Sequence, residues 1–264
     1  MSYLSRIDHA FSDAPVLPLS ENGRYGLFSD CHRGIGTSND NFLKNQHLYF
    51  AALNYYYQHS FCYIELGDGD ELWENRSFSA IQNIHSNVFW LLSLFYEEHR
   101  LFMLFGNHDI AKKDFHPFSD CCFHEGLRLK DCVTGQELYL THGHQADFFN
   151  STLWRLSCFL VRYLWKPLEQ FGVLDPTSAA KNYKVKNKTE QRLQEWTKLH
   201  KKILITGHTH RPVLGSKDSL YFNTGSCVHP RCITCIELVH RELSLVKWTL
   251  STNCLLYTSP SPRD

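Results

Sequence analysis

Gly-His-Thr-His at residues 207–210, closing a short apolar run, is the stretch on which the reading of this chain turns. Four earlier stretches carry matching pieces: Ser-Asp-Cys-His at 29–32, Gly-Asp-Gly-Asp at 67–70, Gly-Asn-His-Asp at 106–109 and Thr-His-Gly-His at 141–144. Each follows an apolar run of β-strand length. Asp, Asn and His delivered by five strand ends to one edge of a sheet are the ingredients of a two-metal site. One such tetrapeptide is weak. Five in this order, each behind a strand, are specific.

Outward from these blocks the pattern alternates. Strands are expected at 23–29, 61–66 and 101–105, the last nearly pure apolar as in a buried central strand. Helices are expected at 40–59 and 77–98 from the spacing of Phe, Leu, Tyr and Ile. Thr134-Gly135 marks a hairpin between strands near 127–133 and 136–141. Residues 147–200 then hold two helical stretches before the strand at 203–206. The first, about 149–171, mixes Leu153, Trp154, Leu156, Phe159, Leu160, Tyr163, Leu164 and Trp165 with Arg155, Arg162 and Lys166, and Pro176 breaks it. A basic stretch follows at Lys181 to Lys188, and strands at 219–223, 232–239 and 243–249 close the chain. Strands alternating with helices, then a run of strands, imply an α/β sandwich of two helix-covered sheets. Loops at strand C-termini are where such folds hold ligands.

At 264 residues the chain suffices for one large domain, expected to span 1–253 with a helical insertion at about 147–200. Its 27 basic and 27 acidic residues cancel, so no net field favours nucleic acid or an anionic membrane. The first twenty residues lack the apolar core of a secretory signal, and no run approaches a membrane span, so a cytoplasmic protein is expected. Residues 254–264 (Cys-Leu-Leu-Tyr-Thr-Ser-Pro-Ser-Pro-Arg-Asp) resemble the translation of a sequencing adapter; they read as a non-native tail, with the native chain cut near Asn253. Ten cysteines are scattered. Cys227, Cys232 and Cys235 approach zinc spacing without a fourth ligand in register, so buried free thiols are the better expectation.

The five blocks, read together, resemble those of the calcineurin-like metallophosphoesterase superfamily: Asp-x-His, Gly-Asp, Gly-Asn-His-Asp, His and Gly-His-x-His, over about residues 25–225. The resemblance implies a four-layer α/β-β/α sandwich. It implies that Asp30, His32, Asp68 and His210 hold one metal ion, and Asp68, Asn107, His142 and His208 a second, with Asp68 bridging. Asp, Asn and imidazole donors suit Mn, Fe or Zn better than Mg²⁺ or Ca²⁺. The activity implied is hydrolysis of a phosphoester or pyrophosphate bond by a metal-activated hydroxide. By the same resemblance His108 faces the leaving oxygen and donates a proton or stabilises developing charge there, and Asp109 orients its ring. Arg33 directly follows the first His and is expected to reach a substrate phosphate.

Other positions leave two readings open. His144 is either a donor behind the ligands or lies outside the site, and Asp70 and Glu71 are either site acids or a solvated loop. His47, His59 and His85 read as surface or helix residues.

The chain is less similar to the Ser/Thr protein phosphatases than to the UDP-diacylglucosamine pyrophosphohydrolases. With the latter it shares Gly67-Asp68 followed by Leu72-Trp73, His142-Gly143, Gly207 through Pro212 and a helical insertion before the last block. His108 departs from the Arg usual in that branch. The partner expected is a phosphorylated substrate, nucleotide-linked or amphiphilic, and the basic aromatic stretch at 149–171 is suited to a lid, to contact with a membrane surface or to packing on the core. The alternatives are a phosphoprotein phosphatase or a non-catalytic binding module on the same fold.

Overall fold

The computed structural model describes residues 1–37, 40–114, 123–165, 180 and 182–251. Two sheets form. The first has the order β11-β10-β2-β3-β4-β5, from Glu242–Thr249, Cys232–Val239, Arg24–Phe28, Cys62–Leu66, Leu101–Leu104 and Phe123–His124. Its strands β2 through β5 run parallel, and the β10–β11 hairpin joins antiparallel to β2. The second has the order β1-β6-β7-β8-β9, from Val16–Leu19, Gly126–Asp131, Glu137–Thr141, Ile203–Thr206 and Tyr221–Asn223. Here β6 and β7 pair antiparallel through the turn at Thr134-Gly135, and the other pairs are parallel.

The two-residue period of a strand sorts the side chains. Leu27, Ile64, Leu66 and Leu104 of the first sheet meet Leu127, Leu129, Leu138, Leu140 and Ile205 of the second in one buried layer. On the opposite face, Phe28, Tyr63 and Met103 pack beneath helices α2 (Gln46–Gln58) and α4 (Ser86–Glu97). Tyr139, Leu204 and Tyr221 pack beneath α1 (Tyr3–His9), through Ile7, and α7 (Tyr183–His200), through Leu193 and Trp196. Helices thus cover both outer faces, the sandwich that the sequence implies.

Several boundaries differ from expectation, for local reasons. The helix expected over 77–98 is two, α3 (Phe78–Ile84) and α4, with the break at His85. His85 is not a surface residue: it is fully buried, with Nε2 3.2 Å from the Asp40 carboxylate. Asp40 also accepts from the amides of Gly34, Gly36 and Phe42, so this stretch is a turn and the helix expected from 40 starts at Gln46. Between β7 and β8 the chain forms two short helices, α5 (Phe148–Ser151) and α6 (Trp154–Leu160), a wider helical turn at Val161–Trp165, and then α7. The expected continuation to 171, Pro176, Lys181 and the tail at 254–264 lie outside the described residues. Among the described residues no helix is long and apolar enough to cross a membrane.

Candidate metal centre

Five strand ends converge. β2 runs into Asp30 and His32, β3 into Asp68, β4 into Asn107, β7 into His142, and β8 into His208 and His210. The turns that present them are tight. Asp30, His32, Asp68, His208 and His210 all adopt left-handed backbone, with φ of 53°, 49°, 50°, 67° and 54°. Such residues are disfavoured there by roughly 1–2 kcal/mol each, a cost that surrounding structure must offset. Here it does. The Asp30 amide donates to the Gly67 carbonyl at 3.1 Å, the His32 amide to the Asp68 carbonyl at 2.9 Å, and the Cys227 amide to the Asp30 carbonyl at 3.2 Å. Gly106 is required by space: a Cβ there would strike the Asp68 carboxylate and backbone.

The side chains fall into two groups sharing an edge. Asp30, His32 and His210 form one: His210 Nε2 lies 3.1 Å from Asp30 Oδ1 and 3.2 Å from His32 Nε2. Asp68, His142 and His208 form the other, with His142 Nε2 3.1 Å from Asp68 Oδ2. That same Oδ2 lies 3.9 Å from His32 Nε2, so Asp68 stands between the groups. Its Oδ1 is held by the His108 amide at 2.8 Å.

The donor atoms fit a pair of transition-metal ions. Asn107 Oδ1 and His208 Nε2 are buried and have no hydrogen-bond partner among the described residues, while Asp30 Oδ1 and His142 Nε2 each face an ionisable group of their own cluster, His210 and Asp68 respectively, at 3.1 Å. Buried polar atoms left without partners are costly unless something positive binds them. The histidines are also set for it. His142 donates from Nδ1 to the Leu66 carbonyl at 3.0 Å, and His32 from Nδ1 to Glu71 at 2.9 Å. Each is left with Nε2 facing the carboxylates, as metal-binding imidazoles usually are.

Charge follows from this crowding. Burial presses the His32 pKa down, but the Glu71 carboxylate with Asp68 and Asp30 carries it up to about 10. Burial likewise opposes His142, which Asp68 and Asp30 raise to about 9. Burial and the neighbouring His142 take His208 down to about 3. Burial works against ionisation of Asp68, yet His142 and His108 hold its pKa well below the usual carboxylate range.

Three expectations are corrected. Arg33 does not face a substrate. It is fully buried, with Nε 2.7 Å from Asp70 and Nη1 2.9 Å from Glu65, and its amide and carbonyl bond to Gly69 and Glu71. It ties the Asp68 loop to the sheet. Asp109 does not orient His108 either: it accepts from the amides of Asp68, Gly69 and Gly106 and pairs with Lys112 at 2.7 Å. Asp70 and Glu71 are not a solvated loop but buried. Glu71 takes the place expected of Asp109, accepting His108 Nδ1 at 2.8 Å with one oxygen and His32 Nδ1 with the other. His144 is buried beside His142, with ring centroids 5.5 Å apart, so it adjoins the site.

Removing Arg33 is therefore a test of scaffold, not of binding. Arg33→Met strips Glu65 and Asp70 of their main partner and leaves them with Lys112 and, for Glu65, the Tyr63 hydroxyl. Breaking a buried pair by deleting one member costs about 3–5 kcal/mol. Urea denaturation of the metal-free protein should show that loss. A change below about 1 kcal/mol, the scale of an exposed pair, would place the guanidinium nearer solvent than the structure does.

No protein-family model matches the chain, and no curated protein does. Among solved structures the chain is similar to a conserved uncharacterized protein, a predicted phosphoesterase, from Streptococcus pneumoniae TIGR4. That pair shares 15% identity over 86% of this chain and 90% of the other, with a TM-score of 0.42, too distant to assign an activity from.

Proposed function

We propose that this chain is a metal-dependent hydrolase of phosphoester or pyrophosphate bonds, of the calcineurin-like metallophosphoesterase type. The observation that carries the reading is the pair of Asp/His clusters on either side of Asp68, with the buried Asn107 Oδ1 and His208 Nε2 lacking partners among the described residues. Two ions held there, one by Asp30, His32, Asp68 and His210 and one by Asp68, Asn107, His142 and His208, would supply an activated water and neutralise the phosphoryl oxygens. The chain's own residues then divide the work. Asp68 fixes the spacing of the two clusters. Glu71 orients His32 and His108 together. The His108 side chain is 22% exposed, against 16% for His210 and 0% for His142, so His108 is the most open of these histidines to a leaving group.

The substrate we favour has an amphiphilic or nucleotide-linked arm. Two features support this. Phe149, Leu156, Phe159 and Tyr163 on the segment after β7 stay exposed, more apolar surface than a scaffold helix needs to show. Beside His144 a groove of about 320 Å³ is lined by Phe105, Ile110 and Trp154, with Arg6, Lys113 and Glu125 at its walls.

The test is a substrate panel on chelator-stripped protein reloaded with Mn²⁺, Fe²⁺ or Zn²⁺: p-nitrophenyl phosphate, bis-p-nitrophenyl phosphate, a nucleotide-sugar diphosphate and a phosphopeptide. Turnover of the nucleotide-sugar diphosphate above the others supports the favoured class. Preference for the phosphopeptide would replace it with a protein phosphatase. Two bound ions and no turnover of any member would make the chain a binding module. Loading itself has a direction in pH. Protons held on His32 and His142 must leave when an ion binds, so affinity rises with pH below their values of about 10 and 9. Mn²⁺ titration at about pH 6 and about pH 8 should show up to roughly tenfold tightening per pH unit for each proton displaced. PH-independent affinity would mean those imidazoles are not ligands.

A further inference from the structure

The segment after β7 reaches back to the loop that follows Asp68 through Arg162. Arg162 donates from Nε to the Trp73 carbonyl at 2.6 Å and from Nη2 to the Leu72 carbonyl at 2.9 Å. A neighbouring contact, Arg76 to the Tyr163 hydroxyl, joins the same two stretches. Charged donors on two adjacent carbonyls hold backbone more firmly than neutral ones. What they hold is Trp73, only 3% exposed, whose indole lies flat on the His108 ring at 4.3 Å between centroids and 24° between planes. The indole Nε1 is buried and has no partner among the described residues. The ring's pose is therefore set by stacking and by its own backbone.

His108 is thereby constrained from three sides. Glu71 holds Nδ1, His32 meets the ring edge-on at 4.8 Å, and Trp73 covers its face. The first two constraints belong to the metal loops. The third is set by a residue roughly ninety positions away in the chain.

We propose that Arg162 and Trp73 are positioning residues, through which the helical segment after β7 holds His108 at the angle from which it serves the leaving oxygen. The proposal rests on the reading of His108 as proton donor. Its physical content is that the Glu71 hydrogen bond and the His32 edge contact restrain the imidazole but leave a range of tilt of its plane, and the indole face narrows that range. Misplacement of a catalytic group by about 1 Å costs on the order of 10²-fold.

The experiment uses the full chain loaded with Zn²⁺, in wild type, Arg162→Ala, Trp73→Leu and Trp73→Phe. Two quantities are read. One is the nuclear Overhauser contact between the Trp73 and His108 ring protons, assigned with the single-residue variants. The other is kcat for aryl and alkyl phosphoesters spanning good and poor leaving groups, with zinc content measured alongside. Arg162→Ala should lose the ring contact and keep its zinc. Arg162→Ala and Trp73→Leu should fall by about 10²-fold on poor leaving groups and far less on good ones, with KM little changed. Trp73→Phe, which keeps an aromatic face, should stay near wild type. If Arg162→Ala does not fold, Arg162→Lys, which keeps the charge but not the paired donors, takes its place. An intact ring contact in the Arg162 variant, equal loss on good and poor leaving groups, or loss of zinc would overturn the proposal. Wild type that hydrolyses no ester would instead remove the proton-donor reading, and the ring contact, read independently of turnover, would still decide whether Arg162 positions the pair.

Discussion

Asp68→Ala should leave the protein without either metal ion and lower turnover on the order of 10⁴-fold or more, the scale seen when a member of a catalytic unit is removed. The size follows from position. Asp68 Oδ2 lies 3.1 Å from His142 Nε2 and 3.9 Å from His32 Nε2, so one carboxylate stands against both clusters. Its Oδ1 satisfies the His108 amide, and its φ of 50° is a conformation that Asp tolerates better than Ala. Truncation thus removes charge, orphans an amide and strains the turn together. Asp68→Asn separates these, because it keeps the shape and an acceptor but drops the charge. Elemental analysis should find neither variant holding two ions per chain. Retention of both ions and full activity in Asp68→Ala would show that the clusters do not share this residue.

His108→Ala should do the opposite to the metal and something similar to the rate. His108 lies outside the Asp30/His32/His210 and Asp68/His142/His208 clusters and groups instead with Glu71 and His32, and the Glu71 oxygen that holds His32 is not the one that holds His108. Ion content should therefore stay near wild type. Loss of a general acid lowers kcat by typically 10²–10⁴-fold. The deficit should shrink for esters with good leaving groups, which need little protonation. A deficit of one size across leaving groups would assign His108 to binding or to charge stabilisation instead.

The runs before 30, 68, 107, 142 and 208 are strands because alternating apolar residues of that length bury one or both faces of a sheet, and that signal is local. The blocks behind them name donor types directly, so the sequence by itself determined the sandwich and which Asp, Asn and His side chains are available at its edge. It also contained an acid three residues after Asp68, but the tetrapeptide does not say what Glu71 touches.

Only the tertiary structure decided the partners of the charged side chains. Its place after His32 points Arg33 to a substrate, yet parallel pairing of β2 with β3 sets its loop against the one carrying Asp70, and the guanidinium spends its donors on Asp70 and Glu65. Adjacency points Asp109 to His108, yet the turn directs its carboxylate at the backbone of the Asp68 loop, and Glu71 reaches His108 from another strand end. Local pattern puts His85 within one helix, yet Asp40, forty-five positions away, bonds it at the break. The short helix at the N-terminus and the strand after it, Tyr3–His9 and Val16–Leu19, carry too little local pattern to be read alone and are held by Trp196 and by β6. The physical reason is common to all of these. Periodicity and turn chemistry are local and are written in neighbouring residues, whereas a buried charge takes whichever opposite charge the packing of distant strands brings within about 3 Å of it.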